Sequence, residues 1–296
     1  MNSITRASQL ADVALEDQAP SGKIAIGKLL YEAGRIKRED VERVKKLQAE
    51  KGLRFGEAAI SLGVCSEDDI LRALSRQFAF DWIAPTETKL ASELSVVFDP
   101  FGRAAEALRT VRGQLLLRWF DQGNRTLSII GLHSGAGVSH VTANLAVLFA
   151  QLGMRTLLID ANLRNPRQEA LFAVKSHAGL SDMLVGRAAP DSFNKINQIA
   201  NLWLLSAGPI PPNPQELLAR PSFYNLLQSY QKQFDVVLID TPAFDIGADA
   251  EVIASRARGA LVVARKDVAK ARVARQLQQD LAGSGVTLCG AVLNEY

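Results

Sequence analysis

The sequence predicts a doubly wound α/β domain with a mostly parallel sheet, preceded by a small all-helical domain. Two observations support this fold class. Beyond about residue 101, apolar runs of strand length alternate with helical patterns, whereas residues 21–84 contain only helical patterns with short glycine turns. The 296 residues accommodate two domains of ordinary size. We expect a flexible tail at residues 1–20, the helical domain at 21–84, a linker at 85–100 and the α/β domain at 101–296.

The helical domain contains an internal repeat with an offset of 29 residues. Each copy has the pattern of a short helix, a glycine turn and a longer helix with an acidic first turn, which suits the positive end of the helix dipole. The sequence therefore predicts two similar helical hairpins. The corresponding positions are Gly27 and Gly56, Gly34 and Gly63, and Gln48 and Gln77.

Six strands and three long helices are expected in the α/β domain. Most of the strands are continuous apolar runs, which is typical of strands covered on both faces. The predicted strands are 127–131, 156–160, 202–206, 236–240, 260–264 and 287–293, and the predicted helices are 139–152, 221–231 and 269–282.

A glycine-rich loop, GLHSGAGVSH at residues 131–140, joins the first of these strands to a helix. This arrangement can cradle phosphate, because glycines let backbone N–H groups approach phosphate oxygens at a helix N-terminus. Gly135 and Gly137 are candidate binding residues, and Ser139 is a candidate magnesium ligand. Val138, however, stands where the usual motif has lysine. A tight strand–helix turn that needs small residues explains the loop equally well.

Two aspartates end predicted strands of the same sheet. Asp160 and Asp240 follow apolar runs, and ligands of open α/β sheets bind at the carboxyl ends of the strands. Both are candidate catalytic residues and magnesium ligands. Each alone would be interpreted as a solvated strand-end residue, but their combination with the loop favours a site.

Composition excludes several classes of function. The net charge of +3 is too small for a polybasic nucleic-acid binder, so no nucleic-acid partner is expected. No apolar run is long enough to cross a bilayer, and the first 20 residues lack a secretory pattern. Cys65 and Cys289 have apolar neighbours, which predicts buried small residues in a reducing cytoplasm.

The α/β domain resembles the bacterial tyrosine autokinases that accompany polysaccharide chain-length regulators, the EpsG type in particular, which share the P-loop fold of MinD and ParA ATPases. Beyond the loop and the aspartates, the resemblance rests on one Glu-x-x-Arg-x-x-Arg helix and four further stretches. These are Glu106, Arg109 and Arg112, and residues 143–146, 179–184, 208–218 and 292–294.

This resemblance implies ATP and Mg²⁺ as ligands, a membrane chain-length-determinant protein as partner, a homo-oligomer, and a cytoplasmic location at the periphery of the inner membrane. It places Glu106, Arg109 and Arg112 in oligomer assembly. The same face would otherwise be interpreted as a solvated charged stripe. Residues implied at the nucleotide are Gly135, Gly137, Ser139, His140, Arg164 and Asn294, with Asp160 and Asp240 catalytic and, with Ser139, binding the metal.

Three departures from the family pattern predict little or no kinase activity. The loop lysine is Val138, and the second aspartate of the Asp-x-Asp-x-Arg motif is Asn162. In place of a tyrosine-rich tail there is Tyr296 alone, the candidate phosphosite. Phosphoryl transfer depends on positioning and on neutralising charge. The sequence therefore favours a regulatory pseudokinase, with His140 and Arg164 as candidate replacement charges; an active tyrosine autokinase is the alternative.

The helical domain resembles the N-terminal domain of GspE/MshE-type secretion ATPases, a subset of which binds cyclic di-GMP. The first copy has Ala25 where the pattern has arginine, and this weakens the match. Two interpretations stay open: a cyclic di-GMP sensor, and a module that only docks a protein. The cyclic di-GMP candidates are Gly27, Gly34, Gln48, Arg54, Gly56, Gly63 and Gln77.

Overall fold

A computed structural model describes residues 26–78 and 83–295. The expected tail at 1–20 and Tyr296 lie outside the described residues. The chain divides into two compact units. The first comprises the described residues up to Thr88 together with Val97–Ala105, and the second comprises Lys89–Val96 and the residues from Glu106 onward.

Four helices of the first unit reproduce the predicted repeat. They are α1 (Ile26–Glu32), α2 (Arg38–Lys51), α3 (Phe55–Ser61) and α4 (Glu67–Phe78). The starts of α1 and α3, and of α2 and α4, are separated by the predicted offset. Both turns use a left-handed glycine, Gly34 with φ 67° and Gly63 with φ 65°. Glycine adopts this conformation without the steric cost that a side chain incurs. The repeat is therefore confirmed.

Acidic caps begin the two longer helices in the same way. The Lys37 N–H donates to Asp40 Oδ2 at 3.0 Å, and the Ser66 N–H donates to Asp69 Oδ2 at 3.1 Å. Each cap satisfies a backbone donor that the helix itself cannot pair.

The apolar faces of the four helices pack together into one hydrophobic core, which includes Leu30, Val44, Phe55, Ala58, Ile70 and Leu74.

The residues expected to form a linker carry short helices. Pro85–Glu87 is a 3₁₀ turn, and α5 covers Ser95–Phe98. Within the second unit, Asn144 Oδ1 accepts the Val96 N–H at 3.1 Å, and Asn144 Nδ2 donates to the Glu93 carbonyl at 2.9 Å. This buried asparagine attaches residues 93–96 to the second unit.

The second unit is built on a seven-stranded sheet in the order β3-β4-β2-β5-β1-β6-β7. All six predicted strands are present within two residues of their expected bounds, and the three predicted helices are confirmed as α7, α11 and α13. The strands are β1 (Thr126–Gly131), β2 (Thr156–Asp160), β3 (Asn194–Lys195), β4 (Leu202–Leu205), β5 (Val236–Asp240), β6 (Gly259–Arg265) and β7 (Thr287–Asn294). The helices are α6 (Arg103–Arg118), α7 (Val138–Gln151), α8 (Gln168–Phe172), α9 (Leu180–Leu184), α10 (Pro214–Ala219), α11 (Pro221–Gln233), α12 (Asp249–Ala257) and α13 (Ala271–Gly283).

The sheet is parallel except for β3, which pairs antiparallel with β4. The sequence analysis missed β3 because two residues are too short to produce a periodic pattern. Helices cover both faces of the central strands. One apolar cluster joins Leu157 and Ile159 of β2 to α9, α10 and α11. Helix α7 packs on β2 and β5 without contributing to that cluster, and the alternate residue Leu158 is also fully buried.

The last strand departs from the expectation of burial on both faces. β7 lies at the sheet edge, and Leu288 and Leu293 are 38% and 60% exposed.

Cys289 on β7 and Cys65 are free thiols that are half-buried rather than buried. Burial still raises the pKa of both thiols to about 11, so both are protonated at neutral pH.

No helix within residues 26–78 and 83–295 combines the length and the apolar character needed to cross a membrane.

Candidate nucleotide-binding site

The glycine-rich loop lies between β1 and α7. Gly135 and Gly137 have φ values of 77° and 91°, a left-handed conformation in which glycine is favoured. Inside the loop the Ala136 N–H donates to the His133 carbonyl at 3.2 Å, and Asn294 Nδ2 donates to the Ala136 carbonyl at 3.0 Å. Asn294 of β7 therefore lies against the loop.

Val138 at the start of α7 faces inward. It is 8% exposed, and a Cβ placed on Gly131 would lie 2.6 Å from Val138 Cγ2. The valine thus occupies the space that the missing side chain of Gly131 leaves at the end of β1. A hydrocarbon in this position supplies neither a charge nor a donor to a ligand in the loop.

Asp160 and Asp240 lie side by side at the carboxyl ends of β2 and β5. They are partners in the register of the two parallel strands, and both are fully buried. Asp160 Oδ2 accepts the N–H groups of Arg167 and Gln168 at 2.9 Å each, and Asp160 Oδ1 accepts the Asn162 N–H at 3.2 Å. These bonds fix the Asp160 carboxylate against the chain that follows β2.

Burial raises the pKa of both carboxyls. The pKa of Asp160 rises to about 8, because desolvation and the neighbouring Asp240 both disfavour its charged form. The pKa of Asp240 rises to about 6 through desolvation, against which Gln168, Ser139 and the charge of Arg167 act in the opposite direction. Two adjacent buried carboxyls with few compensating cations form a site that favours a proton or a cation.

Gln168 is a site residue that sequence reasoning missed. Its side chain is fully buried, and Nε2 donates to Asp240 Oδ2 at 2.7 Å and to the Ser139 carbonyl at 3.2 Å. It therefore links the loop helix to the acidic pair. Its only sequence signal is its place at the start of a short helix eight residues after Asp160, and polar residues are common at such positions.

The oxygen set at the acidic pair fits a magnesium ion. Asp240 Oδ1 and Gln168 Oε1 are buried acceptors without a hydrogen-bond partner, and Ser139 hydrogen-bonds to Asp240. Among the described residues, no three His, Cys, Asp or Glu side chains gather to hold a metal. Magnesium, in contrast, needs only one or two carboxylates beside water and phosphate oxygens.

The two candidate replacement cations are engaged elsewhere. Arg164 forms two hydrogen bonds to the buried Asp249, Nε to Oδ2 at 2.6 Å and Nη2 to Oδ1 at 3.2 Å. Burial lowers the pKa of His140, which disfavours its charged form, and the ring Nδ1 lies 3.5 Å from the Asn144 amide nitrogen. The positive charge of Arg167, a residue that was not predicted, acts to lower the pKa of Asp240, and Arg167 Nη2 also lies 3.8 Å from Glu93 Oε1.

Asn162 lies in a tight turn after β2. Its Oδ1 accepts the Asn165 N–H at 3.1 Å, which closes this turn. The Asn162 side chain is therefore engaged with the backbone.

The three charged residues of α6 have different partners. The half-buried Arg109 forms an ion pair with the exposed Glu106. Arg112 is also half-buried, and its Nη1 donates to the Leu148 carbonyl at 3.0 Å. Arg112 therefore supports packing of α6 on α7, whereas Glu106 and Arg109 pair with each other.

In the first unit, the candidate glycines have packing and turn roles. A Cβ on Gly27 would lie 2.9 Å from Phe55 Cζ, and one on Gly56 would lie 3.2 Å from Ile70 Cγ2. Gly34 and Gly63 form the two turns. The Arg54 N–H caps α3 through Glu57, and the side chain of Gln77 lies outside the described residues.

A cavity of about 990 Å³ lies between α1 and α2. Gly27 and Gln48 contribute to its wall, but Gly34, Arg54, Gly56 and Gly63 are not among the described residues that line it. The wall also includes the acidic Glu42 and several apolar residues. Its basic and aromatic members are Lys28, Arg38, Lys45, Tyr31 and Phe55.

The chain is similar in sequence to a known family model and to known tyrosine-protein kinases. Residues 124–285 match the family model described as "Cellulose biosynthesis protein BcsQ". The putative tyrosine-protein kinase CapB of Staphylococcus aureus is 30% identical over 204 residues, which is 69% of this chain and 90% of CapB. The tyrosine-protein kinase Wzc of Salmonella typhi is 34% identical over 203 residues, but these are only 28% of Wzc.

Solved structures agree with these relatives. The kinase domain of Escherichia coli Etk superposes with a TM-score of 0.67 at 32% identity, and the match covers 70% of this chain and 81% of that domain. MinD of Pyrococcus horikoshii, complexed with Mg-ADP, superposes with a TM-score of 0.52 at 25% identity over 58% of this chain and 71% of MinD. The chain belongs to the bacterial tyrosine-kinase family within the MinD-like P-loop NTPases.

Proposed function

We propose that this protein is a regulatory, kinase-like component of exopolysaccharide synthesis, of the EpsG type, in which phosphoryl transfer has been lost. The observation that carries the proposal is Val138, which is buried against Gly131 at the position of the loop lysine. Relatives named as tyrosine-protein kinases support the architecture, and the missing charge supports the loss of chemistry.

The remaining residues are suited to binding more than to catalysis. Ser139 and Asp240 would hold magnesium, with Asp160 beside them, and magnesium when bound there would neutralise phosphate charge. The loop amides and Asn294 would position the nucleotide. A charge-assisted bond such as the missing lysine makes contributes about 1.5–3 kcal/mol, and neither Arg164 nor His140 is placed to replace it.

We place the protein in the cytoplasm, at the inner membrane through a membrane chain-length-determinant partner. Assembly of several copies would use the ion pair of Glu106 and Arg109. Such assembly does not depend on the loop lysine and can therefore persist without catalysis.

The test is incubation of the full chain with labelled ATP, magnesium and the partner's cytoplasmic tail. We expect no tyrosine labelling of the wild type, and measurably tighter ATP binding by Val138→Lys/Asn162→Asp. Ser61→Ala, an exposed change in the other unit, is the matched control. Robust labelling of wild-type tyrosines would end the proposal.

An active autokinase is the second candidate, and the positive charge of Arg167, which acts to lower the pKa of Asp240, favours it. In that case wild-type labelling would occur and would disappear in Asp160→Ala and in Asp240→Ala. Arg167→Gln would also reduce it, because a positive charge that acts on Asp240 would be lost.

For the first unit we propose a GspE/MshE-type adaptor that docks a protein, with cyclic di-GMP sensing as the alternative. The basic and aromatic cavity beside Gly27 and Gln48 supports the alternative. The absence of an arginine at Ala25 counts against it. Calorimetry of the full chain with cyclic di-GMP decides between them. Heat at micromolar ligand that disappears in Arg38→Ala would establish sensing, and no heat from the folded chain would leave docking.

A further inference from the structure

The phosphate-binding loop is already in contact with an anion from its own chain. Asp245 lies in the 3₁₀ turn Phe244–Ile246 that follows β5. Its carboxylate accepts the Ser134 N–H, with Oδ1 at 3.0 Å and Oδ2 at 3.3 Å. Ser134 lies in the middle of the glycine-rich loop, next to Gly135. The carboxylate therefore accepts a hydrogen bond from a backbone N–H group of the kind that donates to phosphate oxygens in such loops.

This contact has an electrostatic consequence for any ligand of the loop. Asp245 is solvent-exposed, and its carboxylate contacts the loop at the Ser134 N–H. A nucleoside polyphosphate must displace the carboxylate from the Ser134 amide or bind beside it. In both cases the negative charges of ligand and side chain repel each other, and Val138 offers no compensating cation.

We propose that Asp245 is an internal competitor for phosphate at the Ser134 amide and so determines how strongly the loop binds nucleoside polyphosphates. The inference rests on the nucleotide-binding loop of the proposed function, and it adds a residue that neither the motif nor the resemblance includes. Asp245 acts through position and charge and is not a catalytic residue.

The test compares Asp245→Asn with the wild type. Asparagine keeps an oxygen that can accept the Ser134 N–H, so the loop keeps its shape while the charge is removed. Asp121→Asn is the matched control, because Asp121 is an exposed aspartate in a 3₁₀ turn at the opposite ends of the parallel strands. ATP with magnesium is titrated into each full-length protein, and loop amide resonances are followed so that weak binding is measured.

We expect Asp245→Asn to bind ATP about three to ten times more tightly than the wild type and Asp121→Asn. The advantage should shrink between about 0.05 M and about 0.5 M salt, because salt screens exposed charges. Asp245→Ala, with both charge and contact removed, should also shift the Ser134 amide resonance without ligand.

Equal or weaker ATP binding by Asp245→Asn would overturn the inference. So would the absence of any ATP-induced shift in all four folded proteins, because there would then be no phosphate site for which Asp245 could compete. These outcomes are distinct from failure of the proposed regulatory role, whose readout is tyrosine labelling. A protein that labels tyrosine and yet binds ATP more tightly as Asp245→Asn would refute the regulatory role and support the inference.

Discussion

Asp160 and Asp240 occupy the same register position on the neighbouring strands β2 and β5, and both carboxyls are withdrawn from solvent. Parallel pairing thus places two ionisable groups in adjacent buried positions. Gln168 bonds to the Asp240 carboxylate, and two backbone N–H groups bond to Oδ2 of Asp160. The site is organised by hydrogen bonds but remains electrostatically costly without a cation.

The first prediction concerns the pH dependence of stability. Because burial raises the pKa of Asp240 to about 6 and that of Asp160 to about 8, the folded state binds more protons than the unfolded state between about pH 4 and pH 8. The free energy of unfolding should therefore fall as pH rises through this window. Asp240→Asn should reduce the fall and stabilise the protein at pH 7 by about 1–3 kcal/mol.

Urea denaturation at several pH values with a chelator present checks this prediction, and Asp121→Asn is the control. An unchanged pH slope in Asp240→Asn would show that the pair does not retain protons in the folded state. Added magnesium should raise the stability of the wild type more than that of Asp240→Asn.

The second prediction concerns the ion pair of Arg164 and Asp249. Asp249 is 1% exposed, so Arg164→Ala leaves a buried carboxylate without its cation and should cost about 2–4 kcal/mol of stability. Asp249→Asn in the Arg164→Ala background should recover part of the loss. Denaturant unfolding of the four proteins of this cycle measures the coupling, and additive losses would mean that the pair contributes nothing as a pair.

The third prediction separates assembly from packing on α6. Arg112→Ala removes a bond to the Leu148 carbonyl and should lower the stability of each subunit by about 1–2 kcal/mol. Arg109→Ala removes an ion pair to the exposed Glu106 and should leave stability within about 0.5 kcal/mol. If this face mediates assembly, sedimentation velocity should show smaller species for Arg109→Ala. Unchanged sedimentation of Arg109→Ala would exclude Arg109 from the interface.

The fourth prediction concerns the first unit. Gly27→Ala places a methyl group 2.9 Å from the ring of Phe55, which is a core residue, and should destabilise the unit by about 1–3 kcal/mol. Gly56→Ala meets Ile70 at 3.2 Å and should cost less. Hydrogen exchange of amides in α1–α4 of the full chain measures both. Equal protection in wild type and Gly27→Ala would refute close packing at this glycine.

Much of the fold was readable along the chain. Buried parallel strands are continuous apolar runs, so β1, β2, β4, β5 and β6 were predicted from composition alone. The repeat of α1–α4 was likewise predicted from spacing. Its glycine turns and acidic caps involve residues only a few positions apart, so they produce a pattern that is visible in the sequence.

The hydrogen-bond partners of individual side chains could not be predicted from the sequence. The bonds of Arg164 to Asp249 and of Gln168 to Asp240 join residues 85 and 72 positions apart. The bond of Ser134 to Asp245 spans 111 positions. Such pairs arise only when strand order brings separate loops to one end of the sheet.

The sequence by itself therefore determined the helical repeat, the strands and the glycine-rich loop with Val138 in it, because these depend on residue type and local periodicity. Only the tertiary structure decided that Val138 turns inward, that His140 and Arg164 are engaged elsewhere, and that β7 is an exposed edge. The physical reason is that burial, pKa and charge pairing depend on distances through space, which the parallel sheet sets by joining strands far apart in the chain.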